Sequence, residues 1–471
     1  MKAARRPLRP AAGVAAALAF GVVLLLPAGA TAASKSAPGT LTQLSGARGC
    51  LVDRSSKPSL GCGSARALKE PGPFMGSRAI AVSPDGRNVY VASSGSDAIA
   101  IFARDKKTGA LAQPKGARGC IAARGTGGCA TAVGLDGPNS VAVGADGLNV
   151  YATSRNSASI AVFRRSVSTG ALRQLPPGSG CVSGLALPGC APGRALSGPD
   201  VVVISPDGRN VYVGSFFGNA VAVFGRDPST GALTQPEGAA GCIAVATSGC
   251  AIAIALGAPE GLAVSVDGTA VYAAAALANA LVVLSRDPTT GALTQAAGGS
   301  GCIVDSALAG CTTGLELAGA NAVAVDPRGG DVYVTSLFSN SVTSFALSTS
   351  ATAVVQKPGT AGCLVLLRAV GCSFGRAIEA PEGLAVSPDG TSVYTAAFTT
   401  GAIDVLDRNP KSGAVAQKPG RAGCLAPKSV SGCSPGRALG GVSSIALSPD
   451  GRYVYSTASG SNAVDVFRRS R

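Results

Sequence analysis

The chain has 471 residues, with 65 Gly, 14 Cys, no His, no Trp and a formal net charge of +15. Without His, imidazole-ligated metal centres and Ser–His or Cys–His catalytic pairs are excluded; without Trp, any repeat docked on tryptophan is excluded. Length alone suggests two or three domains. Short Val/Ala/Ile runs punctuated by PDG and TG turns, with almost no amphipathic helical pattern, instead read as all-β throughout.

The first element is a leader. MKAARRPLRP is basic, AAGVAAALAFGVVLLLPA is apolar, and Ala30-Thr31-Ala32 fits an A-x-A cleavage site. Residues 1–33 therefore read as a secretory signal peptide, with an uncleaved anchor helix as the alternative and Arg5-Arg6 giving a faint twin-arginine pattern. No second span of ~20 apolar residues follows, so the mature chain is expected to have no membrane span and to be extracellular or in the cell envelope. Removing Lys2, Arg5, Arg6 and Arg9 lowers the charge from +15 to +11. The remaining cations are scattered over turns without interleaved aromatics, so no nucleic-acid partner is expected. A solvated basic surface, attractive to anionic envelope polymers, fits better.

From Gly39 onward one module of about 61 residues recurs seven times. The last copy is split. The chain stops within it, at SPDGRYVYSTASGSNAVDVFRRSR, and the missing segment stands at the other end as PGTLTQLSGARGC, residues 38–50. Repeats of this length are stacked supersecondary units, and a copy shared by both termini means that the stack closes into a ring.

Within a module, four strands are expected. An inner strand such as Ala79–Val82 leads through Ser83-Pro84-Asp85-Gly86 to a second strand, Asn88–Ala92. Pro presets φ for that turn and Gly takes its left-handed position. Ile99–Arg104 is the third strand. The fourth follows an Asp-Pro-x-Thr-Gly turn, as in Asp227–Gly231 before Ala232–Gln235. The turn aspartates Asp85, Asp207, Asp267, Asp389 and Asp450, and likewise Asp105, Asp227 and Asp287, read as structural. Four-stranded antiparallel sheets repeated radially make a β-propeller. The expectation is one seven-bladed propeller over residues 34–471, with inner strands starting near 78, 139, 200, 260, 321, 382 and 443. Thr40–Gln43 supplies the outer strand of the blade built from the C-terminus. Small residues at Ala81, Ala142, Ala263, Ala324, Ala385 and Ala446 suit crowding near the axis. One tyrosine per copy (Tyr90, Tyr151, Tyr212, Tyr272, Tyr333, Tyr394, Tyr455) marks packing between blades.

The cysteines keep the same register, as Cys50/Cys62, Cys120/Cys129, Cys181/Cys190, Cys242/Cys250, Cys302/Cys311, Cys363/Cys372 and Cys424/Cys433. Behind a signal peptide this is a disulfide framework. Pairing within each module is the simplest connectivity, though spacing alone does not fix it. Closing a loop of about ten residues contributes up to ~2.7 kcal/mol on the chain-entropy model. The C-x-x-C spacing of metal and redox sites is absent.

The phrases SPDGRNVYV, AVFGRDPSTGALTQ and VYVTS resemble the lactonase-like seven-bladed propellers, a group related to YVTN-repeat surface proteins. The resemblance spans all seven modules. It implies the propeller fold, and its members include lactone hydrolases of the 6-phosphogluconolactonase type and muconate-type cyclases. Their proposed sites use His with Arg and Glu near the central channel. This chain departs from that pattern in lacking His and in carrying the cysteine loops. Asp-box, WD and kelch patterns, a P-loop and a G-x-S-x-G elbow with a His partner are all missing.

Aligning the copies on their PDG turns gives one position, at the start of each inner strand, that is polar every time: Arg78, Asn139, Asp200, Glu260, Asn321, Glu382 and Ser443. On the ring this set should surround the channel mouth, on the face expected to carry the cysteine loops. It suits a polar ligand or a Ca²⁺ ion; no other cofactor is expected. Catalysis is the alternative, with Glu260 or Glu382 as general base and Arg78 polarising a carbonyl. Polarity beside a wet channel needs no function at all. On the same face, Phe216, Phe217, Leu337, Phe338 and Phe398 are either a contact patch or covered by the cysteine loops. Two functions follow: a monomeric extracellular protein binding an unidentified ligand or envelope polymer through the cysteine-loop face, or a lactonase-like hydrolase or cyclase working at the mouth without His.

Overall fold

The computed structural model describes residues 37–56, 61–72, 78–348 and 351–471. The signal-peptide segment, 1–33, lies outside them. Residues Ala37–Arg471 form one unit of seven predominantly antiparallel sheets arranged as the blades of a propeller. Blade three is representative. Its inner strand Pro199–Ile204 pairs with Asn210–Ser215, which pairs with Ala220–Arg226.

Beyond the third strand the blade departs from the expected four. The outer strand is broken in two, Leu233–Thr234 and Cys242–Ala244, both paired with the third strand. A further short strand, Ala251–Ile252, then runs parallel to Cys242–Ala244. Each sheet thus has six strand segments. The break follows from sequence: Pro236 and the Gly238–Gly241 turn interrupt the ladder between the two halves.

This arrangement also moves the cysteines. The expected pairing within each module holds, as Cys50–Cys62, Cys120–Cys129, Cys181–Cys190, Cys242–Cys250, Cys302–Cys311, Cys363–Cys372 and Cys424–Cys433, with Cα–Cα distances of 4.6–4.9 Å. The first cysteine of each pair opens the second half of the outer strand and is buried. The second stands immediately before the short parallel strand, at the outer edge of its blade. There Cys250 and Cys433 are buried, while Cys62, Cys129, Cys190, Cys311 and Cys372 are partly exposed.

The expectation that the cysteine loops build a rim at the channel mouth is therefore corrected in every blade. None of Cys62, Cys129, Cys190, Cys250, Cys311, Cys372 and Cys433 lines the central channel. The physical reason is strand pairing: each cysteine segment joins the sheet as two short outer strands, and so stays on the side of the blade away from the axis. Only the return segment after the parallel strand crosses the expected face. In blade three the Ser197 and Gly198 carbonyls accept there from the Gly218 and Phe216 amides of the loop between strands two and three.

Ring closure is as the split repeat requires. Leu41–Gln43 and Cys50–Asp53 both pair with Ala463–Arg469, so blade seven takes three strand segments from each end of the chain.

Three repeated contacts join the blades. Each once-per-copy tyrosine is fully buried, and six of the seven pair across the inner hairpin with an alanine, as Ala81 with Tyr90 and Ala142 with Tyr151, while Tyr212 pairs with Val203. Each donates its hydroxyl to a turn carbonyl of the next blade at 2.6–2.9 Å, Tyr90 to Gly170 and Tyr394 to Gly39 among them. At six seams an arginine ending the third strand donates from Nε to the preceding blade's tyrosine oxygen, at 2.5–2.9 Å. It also pairs with a PDG-turn carboxylate or its equivalent, as Arg165 does with Asp85. Finally, the glutamine closing each fourth strand bonds both backbone groups of one residue in the neighbouring return segment, Gln174 to Val133 being one case. The turn aspartates cap their own loops: Asp85 accepts from the Ser83 hydroxyl and the Arg87 amide.

Candidate functional site at the end of the central channel

In blades two to seven the polar ring position is the extra residue of a β-bulge. The ladder steps from Pro138 to Ser140 past Asn139, and likewise past Asp200, Glu260, Asn321, Glu382 and Ser443. A bulge re-aims one side chain and releases it from the sheet alternation. It explains how one polar residue per blade sits among strands that otherwise place Ala and Val inward. In two blades the next residue is Gly. A Cβ at Gly261 or Gly383 would meet the neighbouring blade's backbone at 2.6–2.7 Å, so only glycine permits this approach of inner strands.

The ring is buried rather than open: Asn139, Asp200, Glu260, Asn321, Glu382 and Ser443 are each at most 4% exposed. Asn139 donates to Asp200 at 2.7 Å. Thr335 donates to Asn321 at 2.8 Å, and Ser443 lies 3.4 Å from the Thr457 hydroxyl. Four ring atoms nevertheless lack a hydrogen-bond partner among the described residues: Asp200 Oδ2, Glu260 Oε2, Asn321 Nδ2 and Glu382 Oε2. Buried polar atoms are nearly always paired. Four orphans on one ring make it the part of the molecule that most lacks a partner.

Burial also shifts the acids. Asp200 is pushed up to about 6, against the opposing pull of Arg155 and Asn139. Glu260 rises to about 8 through burial and the Asp200 charge, and Glu382 to about 8 through burial and Glu260. At neutral pH both glutamates are mostly protonated. They are hydrogen-bond donors and poor bases there.

Arg78 completes the ring from blade one. Its guanidinium crosses the channel and donates to the Val323 carbonyl of blade five at 2.8 Å. Every Asp and Glu of the chain lies in the described residues, and none forms an ion pair with Arg78. Burial alone lowers its pKa to about 10, which leaves it charged at neutral pH. Arg78 and Glu382 stand at the end of a cavity of about 630 Å³, lined by the inner strands of all seven blades.

Some functional side chains escaped the sequence reading. Arg155, in the blade-two loop between strands two and three, lies 3.7 Å from Asp200 and packs over the rings of Phe216 and Phe217 at 4.7 and 4.8 Å. Its loop position varies from copy to copy, so the repeat gave no signal for it. Asp404 and Asp465 are fully buried in the third strands of blades six and seven, with pKa values raised to about 8 and well above the ordinary range, in each case by burial. Charges inside AIDVLD and AVDVF were the available signal. Both accept from a seam glutamine, Gln417 and Gln43, and belong to the blade seams.

The apolar loop residues divide. Phe217 and Phe338 are 63% and 67% exposed, as is Leu277 of the blade between them at 67%, a residue the sequence reading did not name, whereas Phe216, Leu337 and Phe398 are partly buried. For Ca²⁺, no three acidic side chains converge as metal ligands among the described residues.

Comparison with known proteins agrees with this architecture. The family model for lactonase, 7-bladed beta-propeller, matches residues 75–179 and 195–304, just under half of the chain. No curated protein matches it. Among solved structures, a putative 6-phosphogluconolactonase from Bacteroides uniformis is similar at 19% identity and TM-score 0.51, over 79% of this chain and 88% of that one. The Pseudomonas aeruginosa periplasmic gluconolactonase shows 18% identity and TM-score 0.50, over 84% and 96%. Kuenenia stuttgartiensis hydrazine synthase shows 18% and 0.52, over the same shares. Likeness at this level speaks for the fold alone, and one fold here carries names of unrelated chemistries. With its seven blades, its repeat phrases and the matched stretches, the chain has the fold of the seven-bladed β-propellers and is similar to the lactonase family over nearly half of its length.

Proposed function

We propose that this protein is an extracellular ligand-binding propeller whose site is the ring end of the central channel. The observation that carries this reading is the set of four unpartnered buried polar atoms on Asp200, Glu260, Asn321 and Glu382 beside the unpaired Arg78 cation. A ligand offering both donors and acceptors there would satisfy groups that otherwise cost about 1–3 kcal/mol each. Seven disulfides support an oxidising compartment. The disulfides' place at the blade edges favours the channel over the cysteine-loop face as the binding surface.

A second reading is lactone hydrolysis at the same place, favoured by the match to the lactonase family model and by two glutamates titrating near pH 8. Such groups can pass a proton to or from a reacting oxygen. Base uptake at constant pH, measured on sugar, aliphatic and aromatic lactones with and without Ca²⁺, separates the two. Binding detected by calorimetry without base uptake supports the binding protein. Turnover abolished by Glu260→Gln or Glu382→Gln supports the hydrolase. Turnover untouched by both substitutions places the chemistry elsewhere.

A further inference from the structure

The channel leading to the ring end is chemically unlike the ring. Its wall is mainly Ala, Val, Ile and Leu from the inner strands, Ala142, Val143, Ile204 and Leu384 among them, and among the described residues the only ionisable side chains lining it are Arg78 and Glu382. Pro206, Ser265 and Val266 line it as well. They belong to PDG-type turns at the opposite end of the inner strands, and Val266 is half exposed. The cavity is thus a tube with mostly apolar side chains and some exposed polar backbone, reaching from the turn side to one guanidinium, and its volume of about 630 Å³ lies in the range of small-molecule sites.

The guanidinium has no counter-charge. Its one partner among the described residues is the neutral carbonyl of Val323, and no Asp or Glu of the chain forms an ion pair with it. A cation held in a poorly hydrated site without an anion is costly, and native proteins pair or neutralise such charges. An arginine fork is also the group best shaped for a carboxylate.

We propose that the central channel binds a small organic anion with an apolar body, an alkyl or aryl carboxylate, entering from the turn side and placing its carboxylate on Arg78. This rests on the reading of the ring end as a ligand site, and names the ligand class that the approach to it selects. Glu382 stands at the same end with an unpartnered oxygen, where a carboxylic acid O–H can donate to the bound carboxylate.

The test is calorimetric titration of the purified chain with octanoate, octanamide and glucono-lactone. Octanoate is expected to bind one to one and at least about tenfold more tightly than octanamide, the margin of one charge-assisted fork. Arg78→Gln should erase that preference, and Arg78→Lys should keep part of it. Ala142→Leu, which narrows the tube away from the head group, should weaken octanoate. The melting temperature of the ligand-free protein should rise in Arg78→Gln, because an unpaired charge has been removed; a merely structural arginine would instead lower it. Equal binding of octanoate and octanamide, or a preference that survives Arg78→Gln, overturns the proposal. Binding of glucono-lactone without octanoate overturns the anion while leaving the ring-end site standing. Binding of none of the three overturns both.

Discussion

Glu260 illustrates what one bulge residue costs the native state. It is 1% exposed, with Oε2 unpartnered, and burial with the Asp200 charge lifts its pKa from the ordinary 4.5 to about 8. An acid whose pKa rises on folding holds its proton more tightly when native. Between those two values the unfolded chain binds fewer protons, so this contribution is fully present below about pH 4.5 and is lost as pH rises through about 8. At roughly 1.4 kcal/mol per unit, the loss is on the order of a few kcal/mol. Glu260→Gln cannot ionise. Its melting temperature should exceed the parent's by a few degrees at pH 9 and match it near pH 4, as read by scanning calorimetry; a parallel offset at both pH values would contradict the buried, protonated glutamate. The ring positions themselves were legible in the sequence, because a polar residue recurred where the repeat is otherwise uniform. Their burial, the bulge that aims them and the reach of Arg78 to Val323 were not, since these depend on non-adjacent blades meeting across the axis.

The element that decides cohesion is the seam between blades. Arg165 joins the Tyr90 hydroxyl at 2.9 Å, the Asp85 carboxylate at 2.8 Å and the Asn88 side chain at 2.6 Å, with only 1% of its own side chain exposed. One seam lacks this clamp. Blade five ends its third strand in Leu347, so among the described residues Tyr272 bonds only the Ala351 carbonyl, and Asp267 accepts from Ser265 and Thr269 within its own turn. Arg165→Leu should lower stability by about 3 kcal/mol, the scale for breaking a buried pair and stranding its partner. Leu347→Arg, facing Tyr272 and Asp267 as its counterparts face theirs, should raise it by about 1 kcal/mol. Guanidinium midpoints of the two variants check both signs. A Leu347→Arg protein no more stable than the parent would mean that the surrounding seam cannot accept the guanidinium. The once-per-copy Tyr was plain in the sequence as a packing position, whereas the arginine that ends strand three in six copies was not singled out. That one copy's tyrosine serves the next copy's arginine emerges only when consecutive sheets are placed side by side. The same limit explains the outer strand, where LTQ and the cysteine segment read as strand and loop although both pair with strand three. The spacing of Cys242 and Cys250 showed that a short loop is stapled, but not that the staple lies along the blade edge.

For the whole molecule the question is how a ring made of one chain stays shut. In blade three the outer strand Leu233–Thr234 follows its partner strand through the short Asp227–Gly231 turn, so a local break recloses at high effective concentration. In blade seven the partner of Leu41–Gln43 is Ala463–Arg469, and the only covalent path between them runs round the entire propeller. Loop closure over so long a path carries a larger entropic cost than closure of a hairpin, so the same local damage should have unequal consequences. Thr42→Pro and Thr234→Pro make the comparison, since both residues are exposed and sit at matching positions of the outer ladder. Each loses a ladder donor and gains a ring that strands accept poorly. Thr234→Pro should leave a single cooperative transition slightly lowered. Thr42→Pro should release the edge of Ala463–Arg469, lowering the melting temperature further, raising amide exchange across blade seven and exposing an unpaired strand that invites association between molecules. Equal losses in the two variants would show that the seams and disulfides alone hold the ring, and that the shared blade is no weaker than the rest.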